Sequence, residues 1–319
     1  MSETSSRTEE TGAHLSLRGP FQSQEEAERA RARALGLLDE ARSALDRGDF
    51  HSAGCALRDL EGVADLDLSL RQGLARVWMR CGEPARAARV FETVVRECPG
   101  SVQAWRDLVS ACVRSGAYAR ALEAARECVR LAPDDAGDLL NQGACARKAG
   151  LEEEGRRCFL AAAVLDPNLF AAFKNLGNSY RDAHEWAEAE KAYRRALEID
   201  PRRSDVWSDL GDVLTRLGRS DASMAAFRQA VHVSPEDPDG WFNFTSACCL
   251  NGRLPEARGA YQRLLELDPG WARRVCGHVA GVFRQLSEKG VPGIPQGSPL
   301  TAPSFWERTL GGAEPQASR

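Results

Sequence analysis

The residues with the strongest claim to chemistry are short amides and carboxylates spaced at multiples of 34 residues: Asp39, Asp107, Asn141, Asn175, Asp209 and Asn243, with Gly73 as the gap in the row. An asparagine side chain both donates and accepts, so a row of them can hydrogen-bond the backbone of an extended peptide along its length. Lys174, Asn178, Asp212 and Arg106 stand close to the row in sequence and add charge and a further amide. Solubility alone would be served as well by Lys, Glu or Gln, so the preference for short side chains favours a binding row over a solvated face.

Other chemistry has no carrier. No glycine-rich phosphate loop, HExxH or G-x-S-x-G stretch occurs. His14, His51, His184, His232 and His278 form no cluster. The 10 cysteines include no CxxC pair, and zinc needs thiolates or imidazoles grouped at short spacing. They read as reduced thiols serving as small hydrophobes. Adjacent carboxylates such as Asp134 and Asp135 stand at helix starts, where they oppose the helix dipole. The expectation is a chain with no catalytic residue, no metal and no cofactor, and so not an enzyme.

Composition narrows the partners. With 43% hydrophobic and 28% charged residues among 319, a sizeable core can form. The low aromatic share, 7%, and the abundance of Ala, Leu and Arg favour helix. A net charge of −4 argues against nucleic acid, which requires a basic surplus to release counterions. No stretch approaches the roughly 18 apolar residues of a membrane span, and the acidic start lacks the apolar core of a secretory signal. A cytoplasmic protein with protein or peptide partners is expected.

The elements that must position the polar row are written in prolines. Pro99, Pro133, Pro167, Pro201, Pro235 and Pro269 follow one another at intervals of 34 residues, and fixed periods of this size signify stacked repeats. With each proline at position 32, seven repeats run over 34–67, 68–101, 102–135, 136–169, 170–203, 204–237 and 238–271. Position 15 is glycine in every repeat except the fifth, which has His184. Glycine at positive φ closes one helix and turns into the next, and the proline ends the second helix. Position 20 is small throughout, from Ala53 to Ala257, and position 24 carries Phe91, Phe159, Tyr193, Phe227 and Tyr261. Small residues let two helices approach while the aromatic fills the remaining gap.

These positions resemble the tetratricopeptide repeat family over residues 34–271. The fifth repeat matches most fully, through Leu176, Gly177, Tyr180, Ala189, Tyr193, Ala196 and Pro201, whereas the first departs, with Glu40 and Ala41 in place of Leu-Gly. The resemblance implies an all-α, right-handed α-solenoid of helix-turn-helix repeats with a C-terminal capping helix. It also implies that the first helix of each repeat lines a concave groove through positions 2, 5, 6, 9, 12 and 13. The polar row then resembles the asparagine ladder of the O-linked N-acetylglucosamine transferase repeat domain, whose catalytic region has no counterpart here. A second binding mode of the family, the carboxylate clamp of cochaperones, begins with Lys174 and Asn178 but fails at Asp209, Asp239 and Asn243, where an amide and two cations are required.

Charge along the groove is segregated in sequence. Arg42, Arg76, Arg80, Arg106, Arg114, Arg147 and Lys148 precede Asp182, Asp205, Asp209, Asp212 and Asp239, a field that would orient a bound segment of opposite polarity. Ser23 with Glu26 reads as a capping box at the start of a leading helix. Trp271, Val275, Val279, Val282, Phe283 and Leu286 read as the apolar stripe of a capping helix over 272–290. Residues 1–22 and the proline-rich 291–319 read as flexible tails. Within the second, Phe305 and Trp306 read as a docking motif, as a segment that folds back, or as stray aromatics of the tail. The leading expectation is a non-catalytic adaptor. The alternative is an accessory or regulatory subunit of a transferase or kinase, autoinhibited by its tail. An exposed end of such a stack also offers a surface for a second copy.

Overall fold

The computed structural model describes residues 24–61, 66–289 and 298–311. The expectations placed on Ser23, on the first tail and on residues 290–297 and 312–319 lie outside these residues. Among them every element is helical. The chain forms two compact parts, residues 1–133 and 134–319. The N-terminal part stacks three hairpins: α1 (Gln24–Asp46) with α2 (Phe50–Glu61), α3 (Leu68–Arg80) with α4 (Pro84–Glu97), and α5 (Val102–Arg114) with α6 (Tyr118–Leu131). The C-terminal part stacks four: α7 (Ala136–Lys148) with α8 (Glu152–Leu165), α9 (Phe170–Asp182) with α10 (Trp186–Ile199), α11 (Ser204–Arg216) with α12 (Ser220–Val233), and α13 (Pro238–Leu250) with α14 (Leu254–Leu267). Two more helices, α15 (Pro269–Glu288) and α16 (Pro303–Leu310), complete it.

One turn is used seven times. Gly48, Gly82, Gly116, Gly150, Gly218 and Gly252 all adopt φ between 70° and 82°. The next residue then donates its N–H back to the carbonyl five positions earlier, as in Ala117 to Cys112 at 2.8 Å and Arg253 to Cys248 at 2.8 Å, which satisfies carbonyls the ending helix would leave orphaned. His184 makes the same turn at φ 61°, with Glu185 bonded to the Tyr180 carbonyl at 2.8 Å. The side chain there costs about 1–2 kcal/mol in the left-handed region, offset in part by a ring contact with Trp186 at 5.1 Å. At the other end of the third, sixth and seventh hairpins the chain is pinned by indoles. Trp105, Trp207 and Trp241 donate to the carbonyls of Pro99, Pro201 and Pro235 at 2.8–2.9 Å.

In the fourth, fifth and sixth hairpins the two helices approach closely at position 8, where the ring at position 24 lies against a glycine. A methyl group on Gly143, Gly177 or Gly211 would stand 2.5–2.6 Å from the ring of Phe159, Tyr193 or Phe227. These rings are 0–3% exposed, and burying each contributes about 1.5–3 kcal/mol. The third repeat exchanges the bulk, with Val109 at the glycine's position and Ala125 at the ring's, both buried. Stacking then adds the next first helix to the pile, with Ala189, Tyr193 and Ala196 of α10 in one core with Val206 and Leu210 of α11.

The C-terminal end departs from the repeat. A loop separates α10 from α11 and α12 from α13, but Asp268 alone joins α14 to α15. It is the C-cap of the first and the N-cap of the second, accepting from Gly270 at 2.7 Å and Trp271 at 3.3 Å. Pro269 thus ends one helix and opens another, so the cap begins three residues before the expected 272. A flexible tail is also not what residues 298–311 form. Ser298 caps a short 3-10 turn, and α16 packs on α14 and α15. Trp306 is 2% and Leu310 0% exposed, in one cluster with Tyr261, Leu264, Val275 and Val279. Phe283 stacks on Trp306 at 5.4 Å, and the Trp306 indole donates to the Leu300 carbonyl at 2.9 Å, repeating the bond of the hairpin tryptophans. Trp306 is therefore satisfied within its own chain, with half-buried Phe305 beside it. Both sit on the end of the stack and not across α7, α9, α11 or α13, because the apolar complement of α16 lies at that end.

Two substitutions test these contacts by chemical denaturation. Gly177→Ala gains about 1 kcal/mol of helix propensity but forces a methyl into the Tyr193 ring, an overpacking that costs about 1–3 kcal/mol; a net loss of stability is expected. His184→Gly removes the left-handed strain and is expected to stabilise by about 0.5–1 kcal/mol.

Candidate functional site

In the C-terminal part, α7, α9, α11 and α13 lie side by side as the first helices of successive hairpins, α7 touching α9 and α11 touching α13. Their shared polar face carries the candidate row. Asn141 is exposed on α7, Asn175 half-buried on α9 and Asn243 half-buried on α13. None of these three side chains has a hydrogen-bond partner among the described residues, whereas every charged member of the row is engaged. Asp209 on α11 accepts from Arg181 at 2.6 Å. In the N-terminal part, Asp107 accepts from Arg76 at 3.0 Å and Gln103 at 2.9 Å, and the exposed Asp39 pairs with Arg42 at 3.4 Å. Arg106 is half-buried on α5.

The pairings change the reading of the charges. Arg76, Arg80 and Arg147, expected to form a basic stretch, bridge to Asp107, Asp46 and Asp182 at 3.0, 2.7 and 3.4 Å. Lys174 bridges to Asp205, which also accepts from Arg203 at 3.1 Å. These bonds join one repeat to the next, so much of the segregated field cancels locally. Exposed pairs contribute about 0–1 kcal/mol each. A stronger link lies on the second helices, where Glu190, 8% exposed, accepts from Arg219 at 2.7 and 2.9 Å and from Arg194 at 3.0 Å.

Asn178 connects the row to the core. Its amide oxygen accepts from the Tyr193 hydroxyl at 2.7 Å, the same ring that lies on Gly177. Burial, and next the Asp209 charge, push the Tyr193 hydroxyl far above its usual range, so it donates throughout the physiological range. Burial likewise raises Asp209, against the opposing pull of Arg181 and Lys174. Partial burial opposes ionisation of Asp205, yet hydrogen bonds from Arg203 and Lys174 outweigh it and hold this carboxyl at about 2. Asp212 differs from both. Its side chain is exposed and forms no ion pair, yet desolvation of the carboxyl, with the Asp209 charge added, pushes it up to about 6.

Beside Asn243, α13 and α15 carry aromatic residues absent from the expected site. Phe242 meets Trp271 at 5.5 Å and His278 at 5.4 Å, and the Arg274 guanidinium lies 4.9 Å from the centre of the Trp271 ring. Ser246, one turn beyond Phe242, is 6% exposed with a hydroxyl that has no partner. Trp271 reads in sequence as part of the cap's buried stripe. Only its spacing of 7 from His278, two helical turns, marks a common face. Arg181 is likewise unmarked, because its partner Asp209 lies 28 residues away. Among the described residues no group of three or more metal-binding side chains occurs, and no helix is long and apolar enough to cross a membrane.

The raised Asp212 carboxyl has a signed consequence. A carboxyl whose folded value, about 6, exceeds its ordinary 3.8 favours the folded state fully below 3.8, and that contribution is lost as pH rises through 6. Asp212→Asn is therefore expected to raise the thermal midpoint at pH 7.5, with the gain shrinking towards zero near pH 4. Melting curves at the two pH values check it.

Comparison with known proteins agrees with this architecture. The tetratricopeptide repeat family model matches residues 38–101, 73–136, 174–240 and 216–271, more than half of the chain. No curated protein matches. Among solved structures, a tetratricopeptide repeat protein from Parabacteroides merdae is 13% identical, covers 76% of this chain and 97% of its own, and superposes with a TM-score of 0.54. MamA from Desulfovibrio magneticus is 18% identical over 53% of this chain and 96% of its own, TM-score 0.49. YrrB, described as having an unusual peptide-binding site, is 19% identical over 61% of this chain and 95% of its own, TM-score 0.46. At such identity the likeness to the Parabacteroides protein extends to the fold and no further. By its repeat positions, its hairpin geometry and the family model together, the chain belongs to the tetratricopeptide repeat family.

Proposed function

We propose that the protein is a non-catalytic adaptor that holds an extended segment of a partner protein against α7, α9, α11 and α13. The observation that carries this reading is the state of the polar row. Asn141, Asn175 and Asn243 stand one or two repeats apart with their amides unpaired, while Asp209, in the same register, is consumed by Arg181. Amides left to solvent on a shared face cost little to keep and can each exchange water for a peptide group. The family's use of such faces for peptide recognition is consistent with this arrangement.

The reading is tested with nonapeptides selected from a random display library on the full chain. Each amide bond contributes about 0.5–1.5 kcal/mol, so replacing all three asparagines by alanine is expected to weaken selected peptides by about tenfold or more. Circular dichroism confirms that the variant keeps its helices. Equal affinity for both proteins removes the row from the binding site.

A further inference from the structure

Between α9 and α11 the acids of the trough are saturated. Lys174, at position 5 of the fifth repeat, reaches Asp205 at position 2 of the sixth. Arg181, at position 12, reaches Asp209 at position 6. One repeat further on, between α11 and α13, the same positions carry different residues. Ser208 stands where Lys174 stood, with Asp239 at position 2 of the following repeat, and Thr215 stands where Arg181 stood, its hydroxyl turned to the Gly211 carbonyl at 2.9 Å. Asp239 is exposed and has no side-chain partner among the described residues. Asp212, at position 9, is equally without an ion pair, since Arg181 and Arg216 act on it only at a distance. Its register is position 9, which in the second and third repeats pairs with position 6 of the next repeat, as in the 3.0 Å bond from Arg76 to Asp107; on α13 position 6 is the unpaired Asn243.

The wall beyond these acids is apolar. Phe242 is half-buried on α13, edge-on to Trp271 and tilted against His278 of α15. Ser246, 6% exposed on the same helix, has a hydroxyl without a partner. A desolvated hydroxyl left unbonded is destabilising, and an acceptor or donor brought in by a ligand would relieve it. Two carboxylates that lack the cations their counterparts have, a free amide and an aromatic wall are thus carried by the consecutive helices α11, α13 and α15.

We infer that the trough across α11, α13 and α15 is specific for an extended partner segment that carries a lysine or arginine close to an aliphatic or aromatic side chain. The segment's cation takes the role that Lys174 and Arg181 fill one repeat earlier, facing Asp239 and Asp212. Its apolar side chain lies against Phe242, and Asn243 bonds the backbone between the two. Complementary charge steers and orients such a segment, and a buried aromatic anchor supplies the centre of the contact. This specificity rests on the adaptor reading of the groove and adds to it the chemistry of the ligand.

The test uses the full chain and the same nonapeptide display library, with sequences of the recovered peptides as the first readout. Enrichment of Lys or Arg together with Leu, Ile, Phe, Tyr or Trp is expected. Synthetic copies of recovered peptides, followed by fluorescence anisotropy, should bind the near-isosteric double variant Asp212→Asn, Asp239→Asn and the variant Phe242→Ala at least tenfold more weakly. The first loss, unlike the second, should shrink as salt is raised, because it alone removes charge. Peptides that depend on Asn141, Asn175 and Asn243 but show no basic enrichment, or that bind the double variant unchanged, overturn the specificity and leave the adaptor reading in place. Recovery of no peptide by the wild-type chain overturns both.

Discussion

The structure depends on how closely two helices of one hairpin can approach. In the fourth, fifth and sixth repeats that distance is set by a ring pressed on a glycine: Phe159 on Gly143, Tyr193 on Gly177 and Phe227 on Gly211. The contact has no room for a methyl group, so it fixes the spacing and rotation of the first helix against the second. The rotation of the first helix decides which residues face the trough. In the fifth repeat the link is direct, because the Tyr193 hydroxyl reaches past Gly177 and holds Asn178 in place. A packing choice in the core thereby becomes a choice about which amide faces the trough.

A second layer of control is electrostatic and runs between repeats. The pairs Arg147–Asp182, Arg181–Asp209 and Lys174–Asp205 tie successive first helices, while Arg156–Glu185, Arg219–Glu190 and Arg228–Glu256 tie successive hairpins through their second helices. Each exposed pair is weak, so together they trim the angle between hairpins whose separation the core already sets. Glu190 is the exception. It is buried and served by two arginines, so loss of Arg219 would leave it Arg194 alone, and only removal of both would leave the charge uncompensated, at a cost of about 3 kcal/mol or more. Pairing also subtracts groups from recognition. What the trough presents is the remainder after its own charges have found one another.

Much of this was legible in the residues. The six prolines and the recurring glycine place every hairpin, and His184 stands out as the non-glycine that adopts the glycine's φ. The row of Asn141, Asn175 and Asn243 follows from register alone. Its partners do not, because an arginine reaches across to a residue 28 to 35 positions away and sequence distance does not say which acid it chooses. The short α16 was hidden for a different reason. Eight residues between prolines cannot form a helix by propensity, and its stability comes from Trp306 and Leu310 finding Tyr261, Leu264 and Val279. The aromatic end of the trough was obscured by Trp271, which fits the stripe of a capping helix as readily as it fits a wall.

The single-residue junction at Asp268 has an outcome for assembly. A ladder of identical hairpins has no intrinsic stopping point, and a bare terminal hairpin invites another molecule to add head-to-tail, which leads to open filaments. Here the step between α14 and α15 abandons the regular loop, and α16 packs on α14 and α15, so the apolar surface of these last helices is occupied by the chain's own Trp306 and Leu310 and not left bare.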